Sequence, residues 1–295
     1  MNPDTITEIV LDQMSQTPDE RFRTVMGALV RHLHDFAREV SLTPEEWLEG
    51  IKFLTAVGQT CTPIRQEFIL LSDVLGVSAL VNVMHDARAV DSPTEASNLG
   101  PFYRVDAPDL PSGASISGRC EPNLVVFGQV ADAAGRAVPG AKVEIWQPDA
   151  AGSYDLQIAD GSEMNLRGCL RADGEGRYWV RTVAPIGYMV PMDGPVGDLI
   201  RGQARHGYRP AHIHFLVSAE GYREVVTAIY LSHDPHIESD TVFGVSDPLV
   251  VTPRESDPAS PVQGLPSIRF DFRLSRADGA GSGRVGADPS QILPR

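Results

Sequence analysis

The pattern of apolar and polar positions divides the chain into two regions that meet near residue 103. In the first region, apolar residues recur every three or four positions, the spacing of one helix face. Between residues 19 and 40 they are Phe22, Val25, Met26, Leu29, Leu33, Phe36 and Val40. A second helix is predicted to begin after Thr43, because an N-cap threonine, a proline and a glutamate three residues on form a start signal. A third helix is predicted over residues 64–75.

After residue 103, short β-rich runs separated by Gly, Pro and Asp replace the helical spacing. The predicted strands cover residues 124–130, 141–146, 177–183, 211–217, 225–231, 249–252 and 268–274. Strands at this spacing, with no helical pattern between them, are typical of an antiparallel sandwich or barrel. We therefore predict an α+β fold that is mainly β, in which an antiparallel β-sandwich follows an N-terminal helical domain.

The predicted helices carry wide apolar faces that must be buried. They can pack on the sandwich, on a second subunit or on both. We assign residues 1–103 to the helical domain and residues 104–275 to the sandwich. Residues 276–295 are rich in Gly, Ala and Ser, and we predict that they form a flexible tail.

Composition excludes several classes of partner. The chain has 295 residues, 42% of them hydrophobic and 22% charged, which is ordinary for a globular protein that is not embedded in a membrane. Its net charge of −14 argues against binding to nucleic acid or to anionic membrane surfaces. The three cysteines are widely spaced and form no C-x-x-C motif, which fits a reducing cytoplasm. No signal-peptide pattern and no apolar run of ~20 residues is found.

The stretch with the most chemical information is Arg209-Pro-Ala-His212-Ile-His214-Phe. Residues two apart on a strand point to the same face, so His212 and His214 are placed to bind one metal ion. The alternative is that they are polar residues satisfied by hydrogen bonds on a sheet.

Two tyrosines in Gly- and Pro-rich loops, Tyr154 and Tyr188, extend this set. Each alone is more easily explained as a packing residue. Together with the histidines they offer two phenolates and two imidazoles. A phenol with a pKa near 10 is a poor ligand for Zn²⁺ or Mg²⁺ at neutral pH. A trivalent iron ion is a stronger Lewis acid and can hold the phenolate form, which in turn favours Fe(III) over Fe(II).

Four motifs resemble those of the iron(III) intradiol ring-cleavage dioxygenases. They are Gly152-Ser-Tyr154, Gly187-Tyr188, the Arg209–Phe215 stretch and Asp193-Gly-Pro-Val-Gly197. A helical N-terminus ahead of a sandwich also resembles the catechol branch of that family. The resemblance covers roughly residues 20 to 275, and it implies that the sandwich is a catalytic domain.

The resemblance also implies roles for individual residues. Tyr154, Tyr188, His212 and His214 would hold one Fe(III) per subunit, with Tyr188 and His212 axial. Tyr188 would leave the iron when substrate binds and take up one of its protons. Arg209 would face the substrate ring and stabilise its charge. The implied partners are a small aromatic diol or triol and O2, with a homodimer formed through the helical domain and a phospholipid held between the subunits.

Three stretches, Arg65–Val77, Asn98–Tyr103 and Ser239–Val245, most resemble the hydroxyquinol-cleaving members. The implied reaction converts benzene-1,2,4-triol to maleylacetate. By analogy, the residues bordering the ring are Leu80, Asn82, Val83, Asn98, Leu99, Gly100, Pro101, Phe102 and Ala228. Ala228 departs from the family pattern, because catechol-cleaving relatives have a polar side chain there. Thr227 or a water molecule could restore that contact.

Three alternatives remain open from the sequence. A catechol or chlorocatechol 1,2-dioxygenase, giving cis,cis-muconates, would share the same ligands. The stretch Gly128–Trp146 resembles transthyretin-like binding modules, but a non-catalytic module has no reason to keep the two tyrosines and two histidines. A hydrolytic zinc enzyme is disfavoured because neither tyrosine suits it.

Overall fold

The computed structural model describes residues 2–62, 64–87, 93–158 and 163–277. Its contacts divide the chain into two compact units, Met1–Ala56 and Val57–Arg295. Of the predicted tail, residues 278–295 lie outside the described residues. The helices are α1 (Ile6–Gln13), α2 (Glu20–Glu39), α3 (Pro44–Thr60), α4 (Glu67–Val74), α5 (Val77–Asp86) and α6 (Pro195–Gly202).

The helix start signal read from the sequence at Thr43 is confirmed, and the structure adds a cap at Asp19 that was not predicted. The carboxylate of Asp19 accepts a hydrogen bond from the Phe22 N–H at 2.8 Å, which caps α2. At α3, Thr43 Oγ1 accepts from the Glu46 N–H at 3.2 Å, and a Glu46 carboxylate oxygen accepts from the Thr43 N–H at 3.0 Å. Helix α1 was not predicted. It packs on α2, where Thr7 Oγ1 lies 3.0 Å from His34 Nδ1.

Much of the apolar stripe of α2 is exposed. Phe22, Leu33 and Phe36 each keep more than half of their surface accessible, and Trp47 at the start of α3 does the same. Large exposed apolar surfaces mark interaction sites.

In the second unit, the predicted helix over 64–75 begins later, at Glu67. The backbones of Thr62 and Arg65 form a tight turn with hydrogen bonds in both directions, at 2.8 and 3.2 Å, so residues 64–66 cannot be helical. Gly76 then separates α4 from α5 with a left-handed φ of +73°. Helix α5 was not predicted. No single helix among the described residues is long and apolar enough to cross a membrane, whereas the bent pair of α4 and α5 meets that criterion by length and composition only.

Two sheets make up the β-rich part of the second unit. The strands are β1 (Leu124–Asp132), β2 (Lys142–Trp146), β3 (Arg167–Arg171), β4 (Arg177–Thr182), β5 (Tyr188–Met189), β6 (Tyr208–Arg209), β7 (His212–Ser218), β8 (Val225–Leu231), β9 (Val250–Val251), β10 (Ser267–Arg269) and β11 (Phe272–Leu274). One sheet holds β1, β4, β10 and β11, and the other has the order β3-β2-β7-β8-β9. Each predicted strand is found, with the one over 268–274 divided into β10 and β11, but β3, β5 and β6 were not predicted.

The main pairs are antiparallel, as predicted, and the edge pairs are parallel. Strand β1 pairs in parallel with β10 and then with β11, and β8 pairs in parallel with β9. The break in the predicted strand over 268–274 lies opposite Gly128, where a Cβ atom would lie 1.7 Å from the Phe270 carbonyl oxygen. Both sheets contribute to one core, with Val126, Val130 and Tyr178 from the first and Val143, Ile213 and Phe215 from the second.

Strands β5 and β6 form a separate two-stranded ladder, with α6 between them in sequence. Tyr188 is the direct cross-strand partner of Arg209 in this ladder. The sequence suggested a loop where α6 begins, although Pro195 stands at the first helical position, which is typical of a helix start.

Candidate metal centre

The four predicted donor side chains meet in the second unit. His212 and His214 lie on one face of β7, with their Nε2 atoms 3.1 Å apart. The hydroxyl of Tyr154 lies 3.3 Å from His212 Nε2. The rings of Tyr154 and Tyr188 meet edge to face, with their centroids 5.6 Å apart. All four side chains are buried, so the cluster is closed to bulk water in this structure.

The two histidines are oriented by different means. His212 Nδ1 lies 2.6 Å from the Pro210 carbonyl oxygen, so its N–H donates to that oxygen and Nε2 is left with a free lone pair. His214 Nδ1 has no hydrogen-bond partner. Its ring stacks on Trp146 instead. A lone pair on His212 Nε2, aimed at a second imidazole and a phenol, is the geometry of a metal ligand.

Tyr154 is held by a close approach of two loops and by an ion pair. A Cβ atom on Gly152 would lie 2.8 Å from the Tyr188 Cβ atom, so only glycine lets the two tyrosine loops come together. The Phe102 ring stacks on Tyr154 with centroids 4.4 Å apart. Arg167 Nε donates to the carboxylate of Asp155, the next residue, at 2.6 Å, and Nη1 donates to the Phe102 carbonyl oxygen at 3.1 Å.

The protonation states follow from burial. Burial raises the pKa of Tyr154 well above its usual range, and the charge of Tyr188 raises it further. Burial also raises the pKa of Tyr188, although the charge of Arg209 opposes this effect. The pKa of His212 and that of His214 are lowered well below the ordinary value, first by burial and then by the charge of Arg209. Both imidazoles are therefore neutral, and both phenols stay protonated without a strong Lewis acid.

This donor set fits ferric iron. Two neutral imidazoles supply lone pairs, and two phenols can ionise only next to a highly charged ion. Among the described residues no group of three or more His, Cys, Asp or Glu side chains could hold a metal ion. A metal at this cluster would need the tyrosines to complete its ligands, which disfavours Zn²⁺ and Mg²⁺.

Arg209 lies beside the cluster and is buried. Its Nη1 atom is 3.1 Å from His212 Nε2. Its other nitrogens donate to Asp240 and to the Tyr230 hydroxyl. Burial, the largest single effect, would lower the pKa of Arg209, but the charges of Asp240, Tyr188 and Tyr230 together outweigh it and the pKa is raised. A permanent positive charge is thus fixed next to the two histidines.

Residues 98–102 of the predicted substrate set lie against the donor cluster. Leu99 and Phe102 pack with Tyr154 and Tyr188 in one apolar group. Gly100 approaches His214 so closely that a Cβ atom would be 3.7 Å from its ring. Asn98 is buried and donates to the Val242 carbonyl oxygen at 3.0 Å, and Pro101 is half-buried in the same segment.

The structure does not bring Leu80 and Val83 to the cluster. Three residues apart on α5, they share one exposed face, with 58% and 65% of their surface accessible. Asn82 donates to Asn98 Oδ1 at 3.1 Å. With Asn98 it lines a cavity of about 450 Å³. The analogy by position could not take the helix register into account, because α5 itself was not predicted.

Ala228 lies directly opposite His214 in the ladder of β7 and β8. Its neighbour Thr227 points to the other face of the sheet, where its hydroxyl donates to the Glu95 carbonyl oxygen at 2.7 Å. Thr227 therefore cannot replace the missing polar group. Tyr230, two residues further along β8, shares the face of Ala228, and its hydroxyl accepts from Arg209 Nη2 at 3.3 Å.

Three buried polar residues near Arg209 escaped the sequence analysis: Asp73, Tyr230 and Asp240. Burial raises the pKa of Asp73 to about 6, while a hydrogen bond from Ser78 and the charge of Arg209 oppose this effect. Asp73 and Asp240 each stand in a stretch that resembled the hydroxyquinol-cleaving members, which was the only signal available.

Comparison with known proteins agrees with this site. A family model described as dioxygenase matches residues 110–276, and one described as catechol dioxygenase N terminus matches residues 19–92. An intradiol ring-cleavage dioxygenase of Aspergillus niger is 46% identical over 84% of this chain and 75% of its own length. The 6-chlorohydroxyquinol 1,2-dioxygenase of Cupriavidus pinatubonensis is 43% identical over 92% of this chain and 96% of its own. The crystal structure of hydroxyquinol 1,2-dioxygenase from Pseudomonas putida DLL-E4 superposes with a TM-score of 0.83 at 40% identity, covering 93% of this chain and 99% of that one.

Proposed function

This chain belongs to the intradiol ring-cleavage dioxygenases, and we propose that it cleaves hydroxyquinol, benzene-1,2,4-triol, between its adjacent hydroxyls. One O2 is consumed, both of its atoms enter the product, and the product is maleylacetate. Similarity to a 6-chlorohydroxyquinol and a hydroxyquinol 1,2-dioxygenase over nearly the whole chain supports this substrate. The observation that carries the reaction type is the convergence of two tyrosines and two histidines beside a buried arginine.

The family generally depends on non-haem Fe(III), and one such ion per subunit is assigned to Tyr154, Tyr188, His212 and His214. The neutral imidazoles and the buried phenols support this assignment. Bound there, ferric iron would supply a Lewis acid that draws protons from both adjacent hydroxyls of the substrate and makes its ring reactive toward O2.

The protein groups then act on protons, charge and water. The Tyr188 oxygen accepts one substrate proton, which its high phenol pKa favours once it is released from a cation. Arg209 remains charged at every working pH and stabilises negative charge that develops on the ring. The apolar group of Phe102, Trp146 and Leu216 excludes water from this reaction.

Substrate choice is assigned to the segment Asn98–Phe102 and to Ala228. The contacts of Leu99, Gly100 and Phe102 with the donor cluster support the segment, and the position of Ala228 directly opposite His214 supports that residue. Asn82 belongs to this set through its hydrogen bond with Asn98. Val83 lines the same cavity as Asn82 and Asn98, whereas the assignment of Leu80 rests on the family resemblance alone.

The assembly proposed is a homodimer formed by residues 1–103, with residues 104–275 as the catalytic domain. The exposed apolar stripe of α2 and α3 supports such an interface. A phospholipid between the subunits rests on the family resemblance alone. A reducing cytoplasmic location is supported by the three free cysteines, Cys61, Cys120 and Cys169.

The decisive experiment compares O2 uptake with benzene-1,2,4-triol and with catechol at steady state. A larger kcat/KM for the triol, with maleylacetate as product, supports the proposal. A larger kcat/KM for catechol, with cis,cis-muconate as product, would make this a catechol 1,2-dioxygenase. The N-terminal family model, described as catechol dioxygenase N terminus, is the observation that favours this alternative.

A further inference from the structure

The guanidinium of Arg209 is fixed on two sides by the protein. Its Nε atom donates to Asp240 Oδ1 at 3.2 Å, and Nη2 lies 3.4 Å from Asp240 Oδ2. Nη2 also donates to the Tyr230 hydroxyl at 3.3 Å. Only Nη1 points into the donor cluster. Because the fork of an arginine is planar, fixing Nε and Nη2 also fixes the direction of Nη1.

Asp240 also organises the loop that surrounds this contact. Its carboxylate accepts from the Val242 N–H at 3.3 Å and from the Gly244 N–H at 3.0 Å. The Gly244 carbonyl oxygen accepts from Ser97 Oγ at 2.9 Å, and that hydroxyl lies 2.8 Å from the Tyr230 hydroxyl. Hydrogen bonds thus connect Arg209, Asp240, Gly244, Ser97 and Tyr230 in a closed ring.

The network leaves no room for another side chain. A Cβ atom on Gly244 would lie 2.6 Å from the Tyr230 hydroxyl and 3.2 Å from Arg209 Nη2. Asp240 and Tyr230 are both buried, so the ion pair is not weakened by solvent as a surface pair would be. The methyl group of Ala228, opposite His214, offers no hydrogen bond to the arginine.

We propose that Asp240 is a positioning residue for the reaction, which holds the guanidinium of Arg209 so that one N–H group faces the ring of the bound substrate, with Tyr230 as its second support. The inference rests on the proposed function only in taking Arg209 as the group that faces the ring. The carboxylate of Asp240 is hydrogen-bonded to Arg209, Val242 and Gly244 and to none of the four donor side chains, so it acts through Arg209.

The chain contains a matched control for Asp240. Asp132 is equally buried, accepts from the backbone N–H groups two and four residues ahead, and pairs with the Arg136 guanidinium. Asp132 stands at the end of β1, in the sheet that β1 forms with β4, β10 and β11. Asp132→Asn removes the same charge from the same local motif without changing a contact of Arg209.

The test is a double-mutant cycle in kcat with Asp240→Asn and Arg209→Gln, run with whichever diol or triol the wild type turns over. We expect Asp240→Asn alone to lower kcat by about 10- to 100-fold, since small misplacement of a catalytic group has this effect. In the Arg209→Gln background, Asp240→Asn should change kcat by less than twofold, because the group that it positions is gone. The iron content of Asp240→Asn and the kcat of Asp132→Asn should stay at wild-type values.

A second readout does not depend on turnover. In the iron-free ¹⁵N-labelled chain, the Arg209 Nε–H signal, recognised by its loss in Arg209→Gln, should exchange slowly with solvent. Asp240→Asn should speed its exchange at least tenfold, and Asp132→Asn should not. The positioning role would be overturned if Asp240→Asn lowered kcat equally in the wild-type chain and in Arg209→Gln. It would also be overturned if Asp240→Asn left the exchange rate of the Arg209 Nε–H unchanged. A wild type that prefers catechol would change the substrate assignment without affecting either readout.

Discussion

Trp146 stacks on His214 with ring centroids 5.0 Å apart and planes within 5° of parallel. The two residues are direct cross-strand partners on β2 and β7. Because His214 Nδ1 has no hydrogen-bond partner among the protein groups, the indole is the main restraint on the plane of this imidazole. A histidine ligand is usually oriented by a hydrogen bond, so this site uses packing where others use a polar contact.

This relationship predicts that Trp146→Leu weakens iron binding by about 10- to 100-fold, the usual effect of losing an orienting group. Trp146→Phe keeps a stacked ring and should lose far less. The measurement is iron content after dialysis against a graded chelator series. Trp179→Phe, a substitution on β4, is the control and should leave iron binding unchanged.

Colour tests the donor set directly. Tyrosinate bound to Fe(III) gives a strong visible charge-transfer band, so the iron-loaded protein should be red. Reduction followed by chelation should bleach it, because the buried phenols take up protons again when the cation leaves. A colourless protein that contains stoichiometric zinc would contradict the assigned ligands.

Tyr188→Phe and His214→Ala should separate the roles of two ligands. Tyr188→Phe is expected to keep much of its iron and to lose turnover by about 10²- to 10⁴-fold, because the proton acceptor is removed. His214→Ala should lose metal instead. Iron content and single-turnover rates measured on the same samples distinguish the two outcomes, and wild-type turnover by Tyr188→Phe would refute its role as the base.

Asp73 gives a prediction about pH and stability. Its pKa of about 6 in the folded chain exceeds the ordinary aspartic acid pKa of 3.8. The folded state therefore keeps this proton when the unfolded chain has lost it, and the free energy of unfolding falls as pH rises from about 4 to about 6. Asp73→Asn mimics the protonated form and should be more stable than wild type at pH 7, by at most about 3 kcal/mol.

The same measurement has an internal control. The stability difference between Asp73→Asn and wild type should shrink below pH 6 and become constant only well below pH 3.8, where the aspartic acid is neutral in both states. Urea unfolding of the iron-free chains at several pH values provides the comparison. A difference that does not vary with pH would mean that the carboxyl group is not the cause.

The exposed stripe of α2 predicts the assembly. Leu33→Glu combined with Phe36→Glu should convert a homodimer to a monomer, because two charges would be placed in an apolar interface. Light scattering at micromolar concentration measures the mass. Val105→Glu, which changes an exposed apolar residue outside the helices, should remain dimeric. A wild-type monomer would contradict the proposal.

The sequence was most informative where local periodicity alone determines position. His212 and His214 share a strand face in any fold that makes residues 211–217 a strand. Tyr154 lies in a loop and Tyr188 on the two-residue strand β5, and only a family resemblance could place them beside the histidines. The cap of α3 was also readable, because it involves neighbours within three residues.

The residues that were missed depend on long-range geometry. Asp240 reaches Arg209 across 31 positions, through a loop whose shape is set by its own backbone hydrogen bonds. Tyr230 is located by the register of β8 against β7, and a shift of one residue would turn it to the other face.

The ladder of β5 and β6 joins Tyr188 and Arg209 into one structural unit. Since the two residues are cross-strand partners, any displacement of this short ribbon carries the base and the cation together. A redesign that moves this ribbon to accept a larger substrate ring would therefore fail, because the distances from Tyr188 and from Arg209 to the substrate would both change. The segment Asn98–Phe102 is not part of this ribbon, so substitutions there would leave the spacing of Tyr188 and Arg209 unchanged.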